Sequence, residues 1–259
     1  MIKIAVANQK GGVGKTTTAI NLCTALAAVG WRTLLVDLDP QGNASTGVGI
    51  NRNDRELTSY DVLMGDASVK EVAKPTGIPS LSVVPTTVDL SGAEVELVNE
   101  DGRSHRLKNA LAAADRDYDI CLIDCPPSLG LLTVNALVAV DSVLVPLQSE
   151  FFALEGLSLL LQTIERVQKG HNPDLAIAGV ALTMYDRRNR LTDHVAEDVR
   201  SCLGPLVFDT VIPRNVRLSE APSHGIPALV YDHRCTGSQA YIELARELIG
   251  RLPTRADAA

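Results

Sequence analysis

No apolar run in this 259-residue sequence is long enough to cross a membrane. A spanning helix needs about 18 consecutive apolar residues, whereas the longest apolar stretches here, such as 136–140, are of strand length or are interrupted by charge. The first predicted strand starts at Ile2, so we expect neither a signal peptide nor a helix-turn-helix module before it. Residues 253–259 combine a proline, an aspartate and small side chains, and we expect a disordered tail that binds membranes poorly.

The sequence also lacks a Cys-x-x-Cys motif, and its five cysteines are widely spaced. Cys121 and Cys125 flank a predicted strand, which would place their Cα atoms about 13 Å apart. A disulfide requires a separation below about 7 Å. We therefore interpret the cysteines as small buried side chains of a cytoplasmic protein rather than as a disulfide framework.

An excess of positive charge is absent as well. The chain has 24 Lys and Arg against 31 Asp and Glu, a formal net charge of −7. This balance argues against a general nucleic-acid-binding protein but is compatible with a local basic patch. Arg187, Arg188 and Arg190 form one candidate. Composition alone favours a solvated helix start there, although arginine near a helix N-terminus is disfavoured by about 0.3–1 kcal/mol, which suggests an external reason for it.

Hydrophobic residues make up 46% of the sequence, and neither an internal repeat nor a low-complexity segment is visible. A chain of this length can form one large core, and a doubly wound α/β domain commonly has this size. We therefore predict a single domain over residues 1–252, followed by the tail.

A phosphate-binding loop is predicted between a strand at 2–7 and a helix at 17–28. The loop reads Gln9-Lys10-Gly11-Gly12-Val13-Gly14-Lys15-Thr16-Thr17. Its glycines would let successive backbone N–H groups turn toward an anion at the positive end of the helix. Lys15 would reach the terminal phosphates of a nucleotide, and the Thr16 hydroxyl would ligate Mg²⁺.

The loop departs from the usual G-x-x-x-x-G-K-[ST] pattern. Gln9 stands where that pattern has its first glycine, and Lys10 adds a second lysine before the glycines. The strand, the glycines, the Lys-Thr pair and the helix nevertheless agree, which argues against a purely structural turn.

Three aspartates are predicted at the carboxyl ends of strands. Asp37 and Asp39 follow a strand at 33–37 and would emerge on one face, at the edge where an open α/β sheet holds its ligand. On its own, the Asp39-Pro40 pair is more typical of a turn. Asp124 ends a hydrophobic strand after the phosphate loop, which is the Walker B arrangement, and would hold Mg²⁺ through a water.

Strands that alternate with helices and end in polar loops indicate a parallel sheet covered on both faces. We therefore predict a doubly wound, mostly parallel α/β fold of the P-loop NTPase type. Further strands are predicted at 81–85, 142–147 and 176–182, a loop at 74–77, and helices at 60–64, 103–114, 128–138, 153–168, from about 190 to 203, and 238–248.

Four separated motifs make the sequence similar to the deviant P-loop ATPases of the ParA/MinD class, and within it to the chromosomal ParA (Soj) group. These motifs are the two-lysine loop, the run 35–43 around Asp39, the strand ending at Asp124, and the segment 211–225. The resemblance covers residues 1–252. It implies an ATPase that binds ATP or ADP with Mg²⁺ and closes face to face as a homodimer.

The resemblance also implies roles for individual residues. Asp39 would position the attacking water, and Lys10 would reach the nucleotide of the partner subunit. Pro213 and Asn215 would lie beside the adenine. Arginines aligned with Arg188 and Arg217 contribute to nonspecific binding of double-stranded DNA in the family. A ParB-type protein would stimulate hydrolysis, and the protein would associate with the nucleoid rather than with a membrane.

The predicted site has four parts. The catalytic residues are Lys10, Lys15, Asp39 and Asp124; the nucleotide-binding residues are Lys10, Gly11, Gly12, Val13, Gly14, Lys15, Thr16, Thr17, Pro213 and Asn215; the metal ligands are Thr16, Asp39 and Asp124; and the DNA-binding residues are Arg187, Arg188, Arg190 and Arg217.

Three alternatives remain open. A MinD-like regulator would act on a membrane surface, which the tail does not favour. An electron-transfer ATPase like the nitrogenase iron protein would need cysteines at matched positions between subunits. A third alternative keeps DNA binding but moves a plasmid or a protein cluster instead of a chromosome.

Overall fold

The computed structural model describes residues 1–150 and 153–252, so the predicted tail at 253–259 lies outside the described residues. One eight-stranded sheet organises this part of the chain, in the order β3-β4-β2-β5-β1-β6-β7-β8. The strands are β1 (Ile2–Val6), β2 (Thr33–Asp37), β3 (Lys74–Pro75), β4 (Leu81–Val84), β5 (Ile120–Asp124), β6 (Ser142–Gln148), β7 (Ala176–Tyr185) and β8 (Val207–Pro213).

Helices cover both faces of this sheet. They are α1 (Lys15–Ala28), α2 (Asn43–Gly47), α3 (Ser59–Met64), α4 (Val69–Val72), α5 (Leu90–Glu96), α6 (Arg106–Ala112), α7 (Leu131–Ala139), α8 (Ala153–Gly170), α9 (Arg190–Leu203), α10 (Val216–Glu220), α11 (Ala228–Tyr231) and α12 (Thr236–Arg251). None of the helices within the described ranges is both long and apolar enough to cross a membrane.

Parallel pairing joins every neighbouring pair of strands except β3 and β4, which are antiparallel. The central strands β2 and β5 are buried at every position, as expected for a parallel sheet with helices on both sides. The predicted fold class, a doubly wound and mostly parallel α/β sheet, is confirmed.

Two hydrophobic clusters lie on opposite faces of the sheet. One is built largely on α1 and α12, with Leu22, Leu26 and Leu244 fully buried against the sheet. The other is built on α3 to α9, with Leu107 and Leu160 among its buried side chains. These clusters hold the carboxyl ends of the strands in fixed positions relative to one another, which is what positions the site.

The strand predictions needed two main corrections. β8 (Val207–Pro213) was not predicted, because Asp209 and Thr210 interrupt its apolar pattern. Their backbone N–H groups donate to the Glu247 carboxylate at 2.9 and 3.1 Å. A side chain outside the sheet thus supplies the hydrogen-bond acceptors that this edge strand lacks within the sheet. Lys74–Pro75, predicted as a loop, is the antiparallel strand β3, and proline is tolerated there because the strand lies at an edge.

Element ends differ elsewhere by a few residues. β7 continues to Tyr185, three residues beyond the predicted strand. The segment predicted as one helix at 103–114 begins as a 3₁₀ turn at Arg103–His105 and continues as α6. The helix after the phosphate loop begins at Lys15 rather than at Thr17, because Gly14 with φ of 86° lets the chain turn into the helix at once.

All five cysteines are free. Cys23, Cys121 and Cys125 are buried as predicted, whereas Cys202 is exposed and Cys235 is partly exposed. The prediction of buried side chains is therefore wrong for the last two. Cys235 instead precedes α12, where its sulfur accepts a hydrogen bond from the Ser238 N–H at 3.4 Å.

Candidate functional site

The register of the sheet brings the predicted aspartates to one edge. Asp37 pairs in register with Asp124, and Val6 at the end of β1 pairs with Asp124 from the other side. The phosphate loop leaves β1 directly after Val6, so the loop begins beside Asp124. This is the carboxyl edge of a parallel sheet, where open α/β folds bind ligands.

Two glycines set the backbone of the phosphate loop. Gly12 and Gly14 have φ of 76° and 86°, values that L side chains rarely adopt. A Cβ atom added at Gly12 would meet no atom within 4 Å, so the surface beside it is open. Gly11 lies next to Pro127, at an ordinary contact distance of 3.8 Å for an added Cβ.

Asn8 fixes the start of the loop. Its Nδ2 donates to the Pro146 carbonyl at 2.7 Å, and its Oδ1 accepts from the Lys10 N–H at 3.0 Å. The side chain is 2% exposed. It thereby joins the loop to the end of β6.

Thr183 fixes the middle of the loop from β7. Its hydroxyl donates to the Val13 carbonyl at 2.8 Å, and both residues are buried. This hydrogen bond turns the Val13 carbonyl toward β7 and away from the centre of the loop. The backbone N–H groups of the loop can then face its centre, where an anion would bind.

Lys15 lies under the loop and is 6% exposed. Its Nζ donates to the Lys10 carbonyl at 3.1 Å. Burial lowers the pKa of Lys15, while the charges of Asp124, Cys125 and Asp39 act in the opposite direction. The ammonium group is thus short of compensating partners, a condition that phosphate oxygens would relieve.

Lys10, the second lysine, points to a carboxylate of its own chain. Its Nζ lies 2.6 Å from Oε2 of Glu150, and both side chains are part exposed, at 37% and 49%. An ion pair at such exposure contributes about 0–1 kcal/mol. It therefore holds Lys10 weakly.

Asp124 is fully buried, and within the described residues neither of its carboxylate oxygens has a well-formed hydrogen bond. Burial raises the pKa of Asp124 well above its ordinary value, and the neighbouring charge of Asp37 adds to this. The Thr16 hydroxyl is close enough to favour the charged form to some extent. A buried carboxyl in this condition is typical of a functional site.

Asp37 and Asp39 differ in environment although two residues apart. Asp37 is fully buried; its Oδ2 accepts from the Ser45 hydroxyl at 2.7 Å and the Ser45 N–H at 2.8 Å. Burial raises the pKa of Asp37 to about 6. Asp39 is 8% exposed, and its Oδ1 accepts from the Gln41 N–H at 3.0 Å. Asp39 is the one of the two that borders open space.

The donor set fits Mg²⁺, which binds hard oxygen ligands and retains several waters. Thr16, Asp39 and Asp124 offer one hydroxyl and two carboxylates, and the unpaired oxygens of Asp124 are the observation that favours a cation here. Within residues 1–150 and 153–252 no group of three or more His, Cys, Asp or Glu side chains is arranged to hold a metal alone. The remaining ligands would therefore come from phosphate and water.

A cavity of about 430 Å³ lies between the phosphate loop and the carboxyl ends of β7 and β8. Gly14 and Thr17 line it on one side, and Pro213 and Asn215 on the other. The Asn215 side chain is already engaged: its Oδ1 accepts from the Arg217 N–H at 2.8 Å and its Nδ2 donates to the Thr236 hydroxyl at 2.9 Å. A cavity in this position suits a nucleoside. Asn215 would contribute to the cavity wall, because its side-chain donor is already used within the chain.

A second cavity of about 510 Å³ lies between the carboxyl ends of β7 and β8, and we call it the arginine cleft. Arg187, Arg188 and Arg214 line it together with Asp186 and Thr236. The first two were predicted DNA-binding residues, and Arg214 was not.

Arg188 is held within this cleft by Asp186. Its Nε and Nη2 donate to the two carboxylate oxygens of Asp186, each at 2.9 Å. These hydrogen bonds lower the pKa of Asp186 to about 2. Arg190 is the first residue of α9 and is exposed.

Arg217 lies outside the lining of the cleft, on α10. Its Nη1 is 2.8 Å from Glu220 Oε2, and its Nε is 3.7 Å from Asp232 Oδ2. The guanidinium also lies 6.0 Å from the ring centroid of Tyr231. The predicted DNA-binding arginines thus include two, Arg188 and Arg217, that are paired with carboxylates of the same chain.

Sequence reasoning missed several contributors to the site. Asn8, Glu150 and Thr183 carry no motif signal, because each acts through a contact more than 130 residues away. Asp37 was seen beside Asp39, but only the register with Asp124 shows why it matters. Arg214 lay within the family segment at 211–225 and was passed over in favour of Arg217.

Comparisons with known proteins agree with this geometry. A family described as "AAA domain" matches residues 1–177. The chain is 62% identical to the chromosome partitioning protein ParA of Caulobacter vibrioides over 96% of this chain and 94% of that protein. It is 56% identical to the sporulation initiation inhibitor protein Soj of Bacillus subtilis, over 95% of this chain and 97% of that protein.

A solved structure is similar over nearly the same length. The crystal structure of cobyrinic acid a,c-diamide synthase from Mycobacterium smegmatis, with bound ADP and magnesium, is 39% identical with a TM-score of 0.83, covering 95% of this chain and 93% of that chain. The phosphate loop, the aspartates at the carboxyl edge of the sheet and the similarity to ParA and Soj all indicate one family. The chain belongs to the ParA/Soj family of chromosome-partitioning ATPases.

Proposed function

We propose that this protein hydrolyses ATP to ADP and phosphate and uses the ATP-bound state to close as a homodimer on nonspecific double-stranded DNA. The observation that carries the proposal is Asp124, a buried carboxyl without well-formed hydrogen bonds, beside the buried ammonium of Lys15 under a phosphate-binding loop. Both groups are destabilised by burial when the site contains no ligand. A nucleotide with its cation would supply the missing partners to both.

The residues of the chain divide the catalytic work. Lys15 would donate to the terminal phosphates, and the N–H groups of residues 11–16 would donate to their oxygens. Thr16, Asp39 and Asp124 would hold Mg²⁺, which when bound neutralises charge on the phosphate oxygens. Asp39 borders the open side of the site and would orient the attacking water, since hydrolysis of this kind depends on positioning more than on proton relay.

Lys10 connects hydrolysis to dimerisation. Its side chain is 37% exposed, and at Gly12, two residues further along the loop, an added Cβ would meet no atom within 4 Å in one subunit. Its pairing with Glu150 is exposed and weak. Closure of two subunits would therefore exchange Glu150 for the phosphates bound by the partner subunit at little cost.

DNA binding would follow from dimerisation. The arginines of one subunit give weak and salt-sensitive affinity, because each neutralised phosphate releases a limited number of counterions. Two such patches on one rigid dimer act with a high effective concentration. An acidic protein with a net charge of −7 would thus bind DNA in its ATP-bound dimer.

The partners and location belong to the same proposal. A ParB-type centromere-binding protein would stimulate hydrolysis and release the dimer, and the protein would be cytoplasmic and nucleoid-associated. A ParB-like reading frame directly downstream would favour chromosome partition over a protein-cluster cargo.

Phosphate release in the presence of Mg²⁺ and DNA tests the catalytic part. The parent should hydrolyse ATP, and Lys15→Ala should abolish turnover because the buried ammonium is lost. Lys108→Ala, which removes an exposed lysine on α6, is the matched control. Turnover in Lys15→Ala equal to that of the control would refute the assignment.

A further inference from the structure

The arginine cleft keeps a net positive charge after the ion pair between Arg188 and Asp186 is counted. Three arginines and one aspartate line it, which gives a local charge of +2. Arg188 forms a bidentate pair with Asp186, although its side chain is 87% exposed. Within the described part of the chain, neither Arg187 nor Arg214 forms an ion pair with a carboxylate. Arg187 and Arg214 are therefore the arginines of the cleft that an anion would meet without a carboxylate of the described residues already paired to them.

Arg214 is the better placed of these two free arginines. Its backbone N–H donates to the Tyr185 carbonyl at 3.0 Å, which ties the end of β8 to the end of β7. Its side chain is exposed and lies close enough to Asp186 to help lower the pKa of that carboxyl. The backbone of Arg214 is thus fixed by the sheet, while its exposed side chain lines the cleft.

Asp186 competes with any anion that enters. A phosphate on Arg214 binds near the negative charge of Asp186, and a phosphate that takes the Nε and Nη2 donors of Arg188 must displace Asp186 from them. Guanidinium groups bind carboxylate and phosphate with the same fork geometry. The aspartate therefore weakens the cleft for phosphate in both cases.

We infer that Arg214 contacts a DNA phosphate in the arginine cleft and that Asp186 limits DNA affinity by holding Arg188 away from the DNA. This inference rests on the proposed ATP-dependent DNA binding and adds to it a contact residue and a built-in competitor. The consequence is unusual: removal of Asp186 strengthens DNA binding, whereas removal of Arg214 weakens it.

The size of both effects follows from counterion release. Each phosphate contact contributes about 0.9 to the slope of log K against log salt, so one contact in each subunit of a dimer contributes about 1.8. Extrapolated from 1 M salt, this corresponds to a change of up to ~60-fold in affinity at 0.1 M salt. Arg214→Ala should lower affinity and slope toward that limit, and Asp186→Asn should raise both.

The experiment is fluorescence anisotropy of a labelled mixed-sequence duplex with a slowly hydrolysed ATP analogue and Mg²⁺, at 50–200 mM KCl. Arg214→Lys, which retains the charge, should stay near the parent. Glu243→Gln is the matched control for Asp186→Asn, because it also removes a carboxylate paired with an exposed arginine, Arg246 at 2.5 Å. Equal gains in the two variants would reduce the effect to net charge and overturn the inference.

Other outcomes are also decisive. Arg214 borders the nucleoside cavity as well as the cleft, so ATP-induced dimerisation is measured for each variant by sedimentation. Loss of dimerisation in Arg214→Ala would assign the residue to the nucleotide and overturn the inference. A parent that binds no DNA with the analogue would overturn the proposed function itself, whereas a parent that binds, with unchanged variants, would overturn only this inference.

Discussion

Asp124→Asn should make the ligand-free protein more stable at neutral pH. The carboxylate is fully buried and lacks well-formed hydrogen bonds among the described residues. Its pKa is raised by burial and by Asp37 even though Lys15 lies close enough to lower it. The charged form therefore costs the folded state free energy on balance, and a neutral amide of the same shape removes that cost.

The neighbouring carboxyl of Asp37 shows the scale of the free energy that such burial costs. Burial raises the pKa of Asp37 to about 6 from a reference of 3.8, despite two hydrogen bonds from Ser45. A shift of that size corresponds to about 3 kcal/mol on full ionisation. The pKa of Asp124 is shifted in the same direction without comparable hydrogen bonds, so Asp124→Asn should raise Tm, and each 1 kcal/mol of stabilisation would add about 2–4 °C for a chain of this length.

The pH dependence has a definite sign. A carboxyl with a raised pKa in the folded state binds its proton more tightly there, so it stabilises fully below the unfolded pKa and this stabilisation is lost as pH rises through the folded pKa. The Tm difference between Asp124→Asn and the parent should therefore be small near pH 4 and grow toward neutral pH. For Asp37 the corresponding window lies between about pH 4 and 6.

Thermal melting from pH 4 to 8, without nucleotide, measures this difference. Asp101→Asn, at an exposed aspartate, is the control and should leave Tm unchanged. Added Mg²⁺ and ATP should raise Tm of the parent more than that of Asp124→Asn, because a ligand stabilises in proportion to its affinity for the folded state. A ligand-free Asp124→Asn that melts below the parent at pH 7.5 would refute the reasoning.

Three further predictions concern the cycle. Asp39→Ala should bind ATP and remain as a DNA-bound dimer without turnover, because the positioning of water is lost while Thr16 and Asp124 remain to hold Mg²⁺; phosphate release equal to the parent would contradict this role. Lys10→Ala should retain nucleotide binding, measured by calorimetry, but fail to dimerise with ATP in sedimentation; normal dimerisation would place Lys10 outside the interface. Arg188→Glu and Arg217→Glu should each weaken retention on DNA at moderate salt, because each places a second carboxylate beside an existing one on the proposed DNA-binding surface; ATP-induced dimerisation should stay intact, and unchanged retention would show that another surface binds DNA.

The fold was largely predictable because its signals are local. Buried parallel strands such as 33–37 and 120–124 are continuous apolar runs, and the glycines with Lys15 identify the loop between β1 and α1. β8 was missed because Asp209 and Thr210 interrupt its apolar pattern. The backbone N–H groups of these two residues donate to Glu247, which is 37 or more residues further along the chain. A window of sequence does not contain that contact.

The site was predictable only where chemistry and motif coincide. Phosphate and Mg²⁺ chemistry requires the side chains of Lys15 and Thr16 at the start of α1 and the carboxylates of Asp39 and Asp124 at strand ends. The pairing of Lys10 with Glu150, and of Arg188 with Asp186, depends on side-chain geometry instead. Both pairs bear on what the predicted residue can do, since each places a carboxylate of the same subunit beside a functional cation.

Sedimentation velocity of a labelled, nonspecific DNA duplex, with the parent protein and either ATP or ADP, tests the central claim most directly. The account predicts that with ATP and Mg²⁺ the duplex sediments with protein bound in pairs of subunits, and that with ADP it sediments alone. Equal binding with ADP, or binding of single subunits with ATP, would contradict the claim that nucleotide-driven dimerisation makes this acidic protein bind DNA.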